Sequence, residues 1–204
     1  MKFNKIMLAA ATLVTAFGAQ AQVTGSLGGG YGTFLELSDA GLSGGSVATL
    51  SGGTVYTADQ PFADIPFGVI FGGDFLAAGP IAGTPATLTF AGTGLDYISF
   101  LWGSPDTYNR LTVTSTGGAV QSFDVGTLGF LTTNGDQNTS QYVQFMADAG
   151  VKITALTFYN APQQDAFESA NFTVTAPVPE PSTYALLLAG IGAIGYVARR
   201  RRAT

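Results

Sequence analysis

Residues 110 to 125 read Arg-Leu-Thr-Val-Thr-Ser-Thr-Gly-Gly-Ala-Val-Gln-Ser-Phe-Asp-Val, and this stretch gives the clearest indication of the fold. In its first half Leu111 and Val113 alternate with threonines, which places apolar and polar side chains on opposite faces of a strand. The Ser-Thr-Gly-Gly at 115–118 supplies residues that tolerate a tight reversal. The stretch therefore predicts two antiparallel strands joined by a short turn.

Short β-branched and aromatic runs between turn clusters continue along most of the chain, and they predict an antiparallel β-sandwich, jelly-roll-like, as one domain over residues 22–178. A glycine-rich lead-in is predicted at 28–32, and one short helical turn fits 75–79. Alternation breaks at Ala155 and Leu156, which indicates a strand covered on both faces. Eleven strands are predicted, at residues 32–37, 45–50, 53–57, 67–71, 86–90, 96–102, 110–114, 119–125, 140–147, 152–160 and 170–175.

The composition excludes several classes of function. The chain has no cysteine and no histidine, which rules out disulfides, Ser-His and Cys-His catalysis, and histidine or thiolate metal sites. Residues 22–178 carry twelve acidic residues but only Arg110 and Lys152 as cations. A body with a charge of about −10 is repelled by phosphate backbones, so we expect no nucleic acid partner.

The N-terminus has the parts of a secretory signal peptide over residues 1–21. Lys2 and Lys5 precede a short apolar run at 6–18, and Ala19 and Ala21 form a small-x-small cleavage site. The run is short for a membrane span, so we expect cleavage after Ala21 by signal peptidase. The alternative is an uncleaved N-terminal anchor.

Three elements follow one another at residues 179–204. Pro179, Glu180 and Pro181 form an extended, accessible element, because each proline fixes φ and lacks an N–H donor. Residues 182–198 are mostly apolar and would span roughly 25 Å as a transmembrane helix. Four arginines then form a topological stop on the cytoplasmic side: Arg199, Arg200, Arg201 and Arg202.

This order of Pro-Glu-Pro, short apolar helix and arginine cluster resembles the PEP-CTERM sorting signal of Gram-negative bacteria, over residues 178–204. The alternative is an ordinary tail anchor preceded by chance prolines. The resemblance implies that the helix anchors the protein transiently in the inner membrane, and that an exosortase-type membrane protease recognises Pro179, Glu180 and Pro181. It also implies delivery to the cell surface or extracellular matrix, where polysaccharide is a candidate partner.

Parts of the body carry weaker likenesses. Residues 71–75 and 101–109 resemble exosortase-dependent surface proteins, and residues 153–174 resemble the closing strands of a carbohydrate-binding jelly roll. These likenesses imply a fold and do not determine a ligand.

Trp102 and Tyr108 are candidate carbohydrate contacts, since Tyr97, Asn109 and Arg110 nearby could complete a platform for stacking on sugar rings. Trp102 lies within a strongly apolar run, so packing in the core is the favoured alternative for it.

Asn134 and Asp136 are candidate ligands of a structural Ca²⁺, because oxygen donors alternate with other residues in a glycine-containing loop that also holds Asn138. Other carboxylates could join them in space: Asp96, Asp106 or Asp165. The favoured alternative is that these are turn residues on a solvated loop.

Paired carboxylates could in principle hydrolyse glycosides, but no spacing in the sequence identifies a pair. We therefore expect a non-enzymatic structural or adhesive protein of the surface. The alternative is a carbohydrate-binding module, and a secreted hydrolase comes third.

Overall fold

The computed structural model describes residues 23–175 and Ile191. The predicted signal peptide, with Ala19 and Ala21, lies outside the described residues. So do the Pro-Glu-Pro element at 179–181, the predicted transmembrane helix apart from Ile191, and the arginines at 199–202. Within the described part of the chain, no helix combines the length and the apolar character needed to cross a membrane.

The described residues form thirteen strands in two antiparallel sheets. A short helix, α1 (Val125–Leu128), follows the tenth strand. The strands are β1 Val23–Leu27, β2 Leu37–Ser38, β3 Gly41–Leu42, β4 Ala48–Ser51, β5 Thr54–Tyr56, β6 Phe75–Ala78, β7 Ala86–Phe90, β8 Tyr97–Gly103, β9 Asn109–Ser115, β10 Val120–Asp124, β11 Ser140–Ala147, β12 Ile153–Asn160 and β13 Phe167–Thr173.

The strand order shows how the chain is wound. One sheet has six strands in the order β1-β11-β8-β13-β6-β5, and the other has seven in the order β10-β9-β12-β7-β4-β3-β2. Four antiparallel pairs are nested in sequence and alternate between the sheets: β6 with β13, β7 with β12, β8 with β11, and β9 with β10. A long hairpin rolled onto itself gives this nesting, which is the jelly-roll arrangement. The predicted β-sandwich is therefore confirmed.

The hairpin predicted from residues 110–125 forms in the expected place. Strands β9 and β10 pair with Leu111 opposite Phe123, and alternate residues of β9 are buried. β10 ends one residue earlier than predicted because Asp124 and Thr127 form a capping box that begins α1. This helix was not predicted.

Aromatic side chains from both sheets fill the core. Phe100 on β8 stacks on Phe172 of β13 and meets Phe158 of β12 edge to face, with both ring centroids at 5.4 Å. Trp102 packs against Phe167 at 4.2 Å. All five side chains are fully buried, and such pairs add stability beyond the area that they bury.

A second, smaller apolar cluster covers the outer face of the six-stranded sheet. Residues 57–74, here called the cover segment, leave β5 and return over β6 and β13. Ala63 of this segment packs with Phe75, Ala77 and Ala170 of the sheet beneath. Every residue of β6 and β13 is consequently buried, on both faces of the sheet.

Two predicted strands are wrong. Residues 32–36 form no strand, and residues 67–71 lie in the cover segment and enter a 3-10 turn at Phe71–Gly73. Near Phe67, which is 66% exposed, the backbone is held by a side chain: Asn171 donates to the Gly68 carbonyl and accepts from the Ile70 N–H. Residues 75–78 form β6, not a helical turn, because they pair with β5 and β13.

The glycine-rich segment at 28–32 is packed and is not a loose lead-in. The N–H of Gly28 donates to the Tyr142 carbonyl at 2.8 Å, and that of Gly30 donates to Ser99 Oγ at 2.9 Å. At Gly29 a Cβ atom would lie 2.5 Å from the Ser99 Cβ, so only glycine allows this approach. Strand β1, which precedes the segment, was not predicted.

The break in alternation at Ala155 marks a β-bulge. The pairing of β12 with β9 shifts register between Ile153 and Ala155. Beyond the shift, Leu156 and Phe158 are buried and Thr157 is half-buried, so alternation resumes. The expectation of a strand covered on both faces is therefore corrected: one extra residue re-aims the side chains.

Replacement of Phe100 by alanine should lower the free energy of unfolding by about 3–5 kcal/mol, because the ring is central to the aromatic core. Urea unfolding can be followed by the fluorescence of Trp102, the chain's single tryptophan. Val120→Ala is a suitable control, since Val120 is 60% exposed and its loss should cost less than about 1 kcal/mol. Equal losses in the two variants would contradict this description of the core.

Candidate functional site

An acidic pocket of about 90 Å³ lies at the C-terminal end of β8, on the outer side of the six-stranded sheet. Four carboxylic acids line it. Asp64 comes from the cover segment, Asp106 from the β8–β9 turn, Asp165 from the β12–β13 loop, and Glu168 from β13. Uncharged side chains complete the lining, chiefly Phe62, Ser104, Tyr108 and Gln137.

Strand alternation places Glu168 in the pocket. Phe167 packs on Trp102 in the core, so the next side chain points to the opposite face. There it meets Gly103 on the neighbouring strand, where a Cβ atom would lie 2.8 Å from Pro66 Cγ and 3.1 Å from the Glu168 Cβ. The missing side chain at Gly103 thus lets the cover segment close over Glu168, which is 4% exposed.

The Glu168 carboxyl is poorly compensated. Its Oε2 atom has no hydrogen-bond partner. Burial raises the pKa of Glu168 well above its usual range, and the charges of Asp64 and Asp106 raise it further. Hydrogen bonds from the backbone N–H groups of Glu168 itself and of Asp64 oppose this shift.

Ser104 also lines the pocket and has a second unpartnered side-chain oxygen. It follows β8 directly and has a φ of 37°, which is uncommon for a residue other than glycine. Its N–H donates to the Thr139 carbonyl at 3.0 Å, which fixes the backbone. The hydroxyl oxygen is buried without a hydrogen bond. Strained residues of this kind persist where the surrounding structure holds them.

The pKa values of three other groups in the pocket, Asp106, Tyr108 and Asp64, are also raised. Burial raises the pKa of Asp106, a hydrogen bond from Tyr108 lowers it, and the charge of Asp165 raises it. The pKa of Tyr108 is raised by burial and by its bond to Asp106. At Asp64, burial and the charge of Asp59 raise the pKa, against a hydrogen bond from Gln137.

Two buried asparagines hold the loops around the pocket. Asn109 Oδ1 accepts from the Asp106 N–H at 2.8 Å and from Trp102 Nε1 at 3.4 Å, and its amide donates to Asn160 Oδ1 at 3.1 Å. The Asn160 amide donates in turn to the Asp165 carbonyl. This chain, here called the asparagine clamp, connects the core to the two loops that carry Asp106 and Asp165.

Neither basic residue of the described chain lines the pocket. Lys152 forms a salt bridge with Asp96 at 2.7 Å. Arg110 donates to the Thr107 carbonyl at 2.7 Å. The pKa of Asp124 is lowered chiefly by the hydrogen bond from the Thr127 N–H, and the charge of Arg110 adds to this shift. The predicted participation of Asp96 is wrong, because this residue precedes β8 while the pocket lies beyond its other end, roughly 20 Å away.

The prediction that Trp102 contacts carbohydrate is wrong. Its side chain is 0% exposed and packs between Phe130 and Phe167, so no sugar ring can reach it. The core-packing alternative describes Trp102. Tyr108, unlike Trp102, lines the acidic pocket, where it forms a hydrogen bond with Asp106.

The loop of Asn134 and Asp136 borders the pocket but supplies other residues to it. The exposed Asp136 accepts from the Asn138 N–H at 3.0 Å, which makes it a turn residue. Asn134 pairs with Asp106 in an isolated bridge. Gly135 and Gln137 line the pocket in their place. The sequence did not identify Asp64, Ser104, Gln137 and Glu168 as site residues, because they come together only when the cover segment folds over the sheet. The sequence around Glu168, Phe-Glu-Ser-Ala-Asn-Phe-Thr, has no apolar pattern that would have marked this residue as buried.

A larger groove of about 410 Å³ lies on the seven-stranded sheet. Hydroxyl and amide groups line it together with Tyr159, a half-buried aromatic residue. No carboxylate is among its lining residues, which are Thr84, Pro85, Thr112, Thr157, Tyr159, Asn160 and Gln163.

Residues 177–202 match the family model of the PEP-CTERM protein-sorting motif. The match includes Pro179, Glu180, Pro181 and the four arginines, and it confirms the resemblance seen in the sequence. No curated protein and no solved structure shows significant similarity to this chain.

The pH dependence of stability tests the site. The folded-state pKa of Glu168 lies above its ordinary value of 4.5, so its contribution to stability is present below pH 4.5 and is lost as the pH rises through the folded-state pKa. Glu168→Gln should therefore be more stable than the native protein at pH 7, and its free energy of unfolding should decline less steeply above about pH 5. The comparison is made in the presence of a chelator, so that no bound metal ion contributes. Urea unfolding across this range measures both.

Glu36→Gln provides the matched control, because Glu36 is exposed and lies outside the pocket. Its pH profile should follow that of the native protein. An unchanged profile in Glu168→Gln would show that the buried carboxyl does not control the slope.

Proposed function

We propose that this protein is a non-enzymatic structural or adhesive component of the cell surface or extracellular matrix of a Gram-negative bacterium. The observation that carries the proposal is the PEP-CTERM motif at residues 177–202, which supports an exported surface protein targeted by exosortase. In this proposal, signal peptidase cleaves after Ala21, and the region 182–198 anchors an inner-membrane intermediate before exosortase processing at the Pro-Glu-Pro.

The end of the fold supports processing at this point. Strand β13 ends at Thr173, whose hydroxyl donates to the Tyr31 carbonyl at 2.7 Å. The matched motif begins only four residues later, at 177. Cleavage near the Pro-Glu-Pro therefore removes none of the thirteen strands, and the mature body keeps its core.

The carboxylates and the volume needed to bind a sugar lie in two different pockets, which supports a non-enzymatic role. The acidic pocket holds carboxylates, but its volume of about 90 Å³ is well below the roughly 300 Å³ at which ligand sites begin. The larger groove has sufficient volume, yet no carboxylate lines it. Glycoside hydrolysis needs two carboxylates on either side of a bound sugar, and neither place supplies both requirements.

The larger groove favours polysaccharide binding as the second candidate function. Its half-buried Tyr159 offers an apolar ring face beside the hydroxyl groups of Thr112 and Thr157 and the amide of Gln163. Aromatic rings next to hydrogen-bonding groups suit carbohydrate surfaces. In this candidate function the sugar contact moves from Trp102 to the opposite sheet.

Neutral replacement of Arg199, Arg200, Arg201 and Arg202 by glutamine should impair membrane retention and C-terminal processing, because the positive block holds the tail on the cytoplasmic side. Intact mass spectrometry of the protein from an exosortase-containing host reports both cleavage points. Replacement of Ala203 and Thr204 by serine is the control and should be processed normally. Normal C-terminal cleavage without the four arginines would refute their role as a stop.

Replacement of Tyr159 by alanine tests the second function. If the groove binds polysaccharide, pull-down on extracellular polysaccharide from the host should fall at least fivefold, while circular dichroism stays unchanged. Tyr31→Ala is the matched control, since Tyr31 is 51% exposed and lies outside the groove. Equal binding by the native protein and Tyr159→Ala would exclude the groove as the binding site.

A further inference from the structure

The acidic pocket has a property that the sorting function does not explain: we propose that it binds one divalent cation, Ca²⁺. Oxygen donors reach it from separate parts of the chain. Asp64 lies on the cover segment, Ser104 and Asp106 follow β8, Gln137 lies in the loop before β11, and Glu168 lies on β13.

Two buried oxygen atoms without partners carry the proposal. Glu168 is 4% exposed and Ser104 is 7% exposed, and both line the pocket. Glu168 Oε2 and Ser104 Oγ accept or donate no hydrogen bond. Native proteins rarely leave buried polar atoms unsatisfied, because each one loses its bonds to water on folding. A cation in the pocket would give both atoms a partner.

The charge of the pocket points the same way. Glu168 lies within the electrostatic influence of Asp64 and Asp106, and Asp106 within that of Asp165. The two basic residues of the described chain are held elsewhere, Lys152 by Asp96 and Arg110 by the backbone of the β8–β9 turn. No side chain of residues 23–175 therefore neutralises this group, and a bound cation would.

Size and donor chemistry identify the class of ion. A volume of about 90 Å³ admits a few water molecules, which suits an ion with part of its hydration shell. Carboxylate, hydroxyl and amide oxygens favour calcium, magnesium or manganese over zinc or copper. Donors spread over four segments favour Ca²⁺, which accepts six to eight ligands in irregular geometry, over Mg²⁺, which requires a near-ideal octahedron.

The affinity should be modest. Among the described residues, no three acidic side chains already stand together as a group that could hold a metal ion. The site would thus combine fewer direct carboxylates with neutral oxygens and water. Calcium sites of extracellular modules are of this weaker kind, with dissociation constants of about 10⁻⁴–10⁻³ M.

The test is calorimetric titration of CaCl₂ into the full chain, after chelator treatment, at pH 7 in 150 mM NaCl. We expect one site with a dissociation constant of about 0.1–1 mM. At ten times that concentration, Ca²⁺ should raise the melting temperature by about 3–6 °C. MgCl₂ should bind at least tenfold more weakly.

Three variants locate the site. Glu168→Gln and Asp106→Asn should each weaken Ca²⁺ binding at least tenfold. Asp64→Asn should weaken binding at least threefold. Asp64 is half-buried on the cover segment, so this substitution should disturb folding less than Glu168→Gln. Asp148→Asn removes an exposed carboxylate outside the pocket and should bind as the native protein does.

Glu168→Gln has an additional signature. It should raise stability in chelator and also abolish the stabilisation by Ca²⁺, a combination that a merely structural role would not produce. Absence of Ca²⁺ binding up to 10 mM would overturn the proposal. So would equal binding of Mg²⁺, or an equal loss of affinity in Asp148→Asn and Asp64→Asn.

Discussion

The ring of Phe167 packs on the indole of Trp102 with the centroids 4.2 Å apart, and the rest of the site depends on this contact. It fixes the register of β13 on β8, and a strand can place only alternate side chains on one face. Once Phe167 points into the core, Glu168 points outward beneath the cover segment. A carboxyl group in a fully buried strand is thus placed beneath the cover segment by the packing of its neighbour Phe167.

The burial of polar groups around this contact is selective. The asparagine clamp satisfies its buried amides, since Asn109 and Asn160 bond to each other, to the indole and to the loop backbones. Such a network is stabilising when its members are paired. In the neighbouring pocket, Glu168 Oε2 and Ser104 Oγ have no partner. The same fold that pairs one set of polar atoms leaves others unpaired, and two of the unpaired atoms belong to residues that line the acidic pocket.

The sequence predicted those parts of the fold that local patterns determine. β9, β10 and β11 were found because alternation and turn residues are visible within a few positions, and the arginine-terminated motif is equally local. β6 was missed because its residues are apolar on both faces, a pattern that does not separate a strand from a helical turn. The bulge at Ala155 was mistaken for burial on both faces. One extra residue in the strand and burial of both faces interrupt the alternation of apolar and polar residues in the same way.

The candidate site was harder to predict because no short segment contains it. Its donors span more than a hundred residues, from Asp64 to Glu168, and they meet only after the cover segment folds over β13. Trp102 misled in the opposite way: an aromatic residue near polar neighbours fits a sugar platform until its burial is known. The exposure of a side chain is a property of the assembled sandwich. The sequence alone therefore favours either core packing or sugar contact for such a residue without deciding between them.

An acidic body also fits the sorting route physically. Without cysteine it cannot gain stability from disulfides after export, so its core and its ion environment must suffice. If the pocket binds Ca²⁺ as proposed, repulsion among its carboxylates would persist wherever the free Ca²⁺ concentration lies below the dissociation constant of the site. It would be relieved where Ca²⁺ reaches the millimolar concentrations at which extracellular sites bind it. Binding to the folded state alone adds stability by mass action. The body would then reach its full stability only outside the cell, after the motif at 177–202 has directed its export.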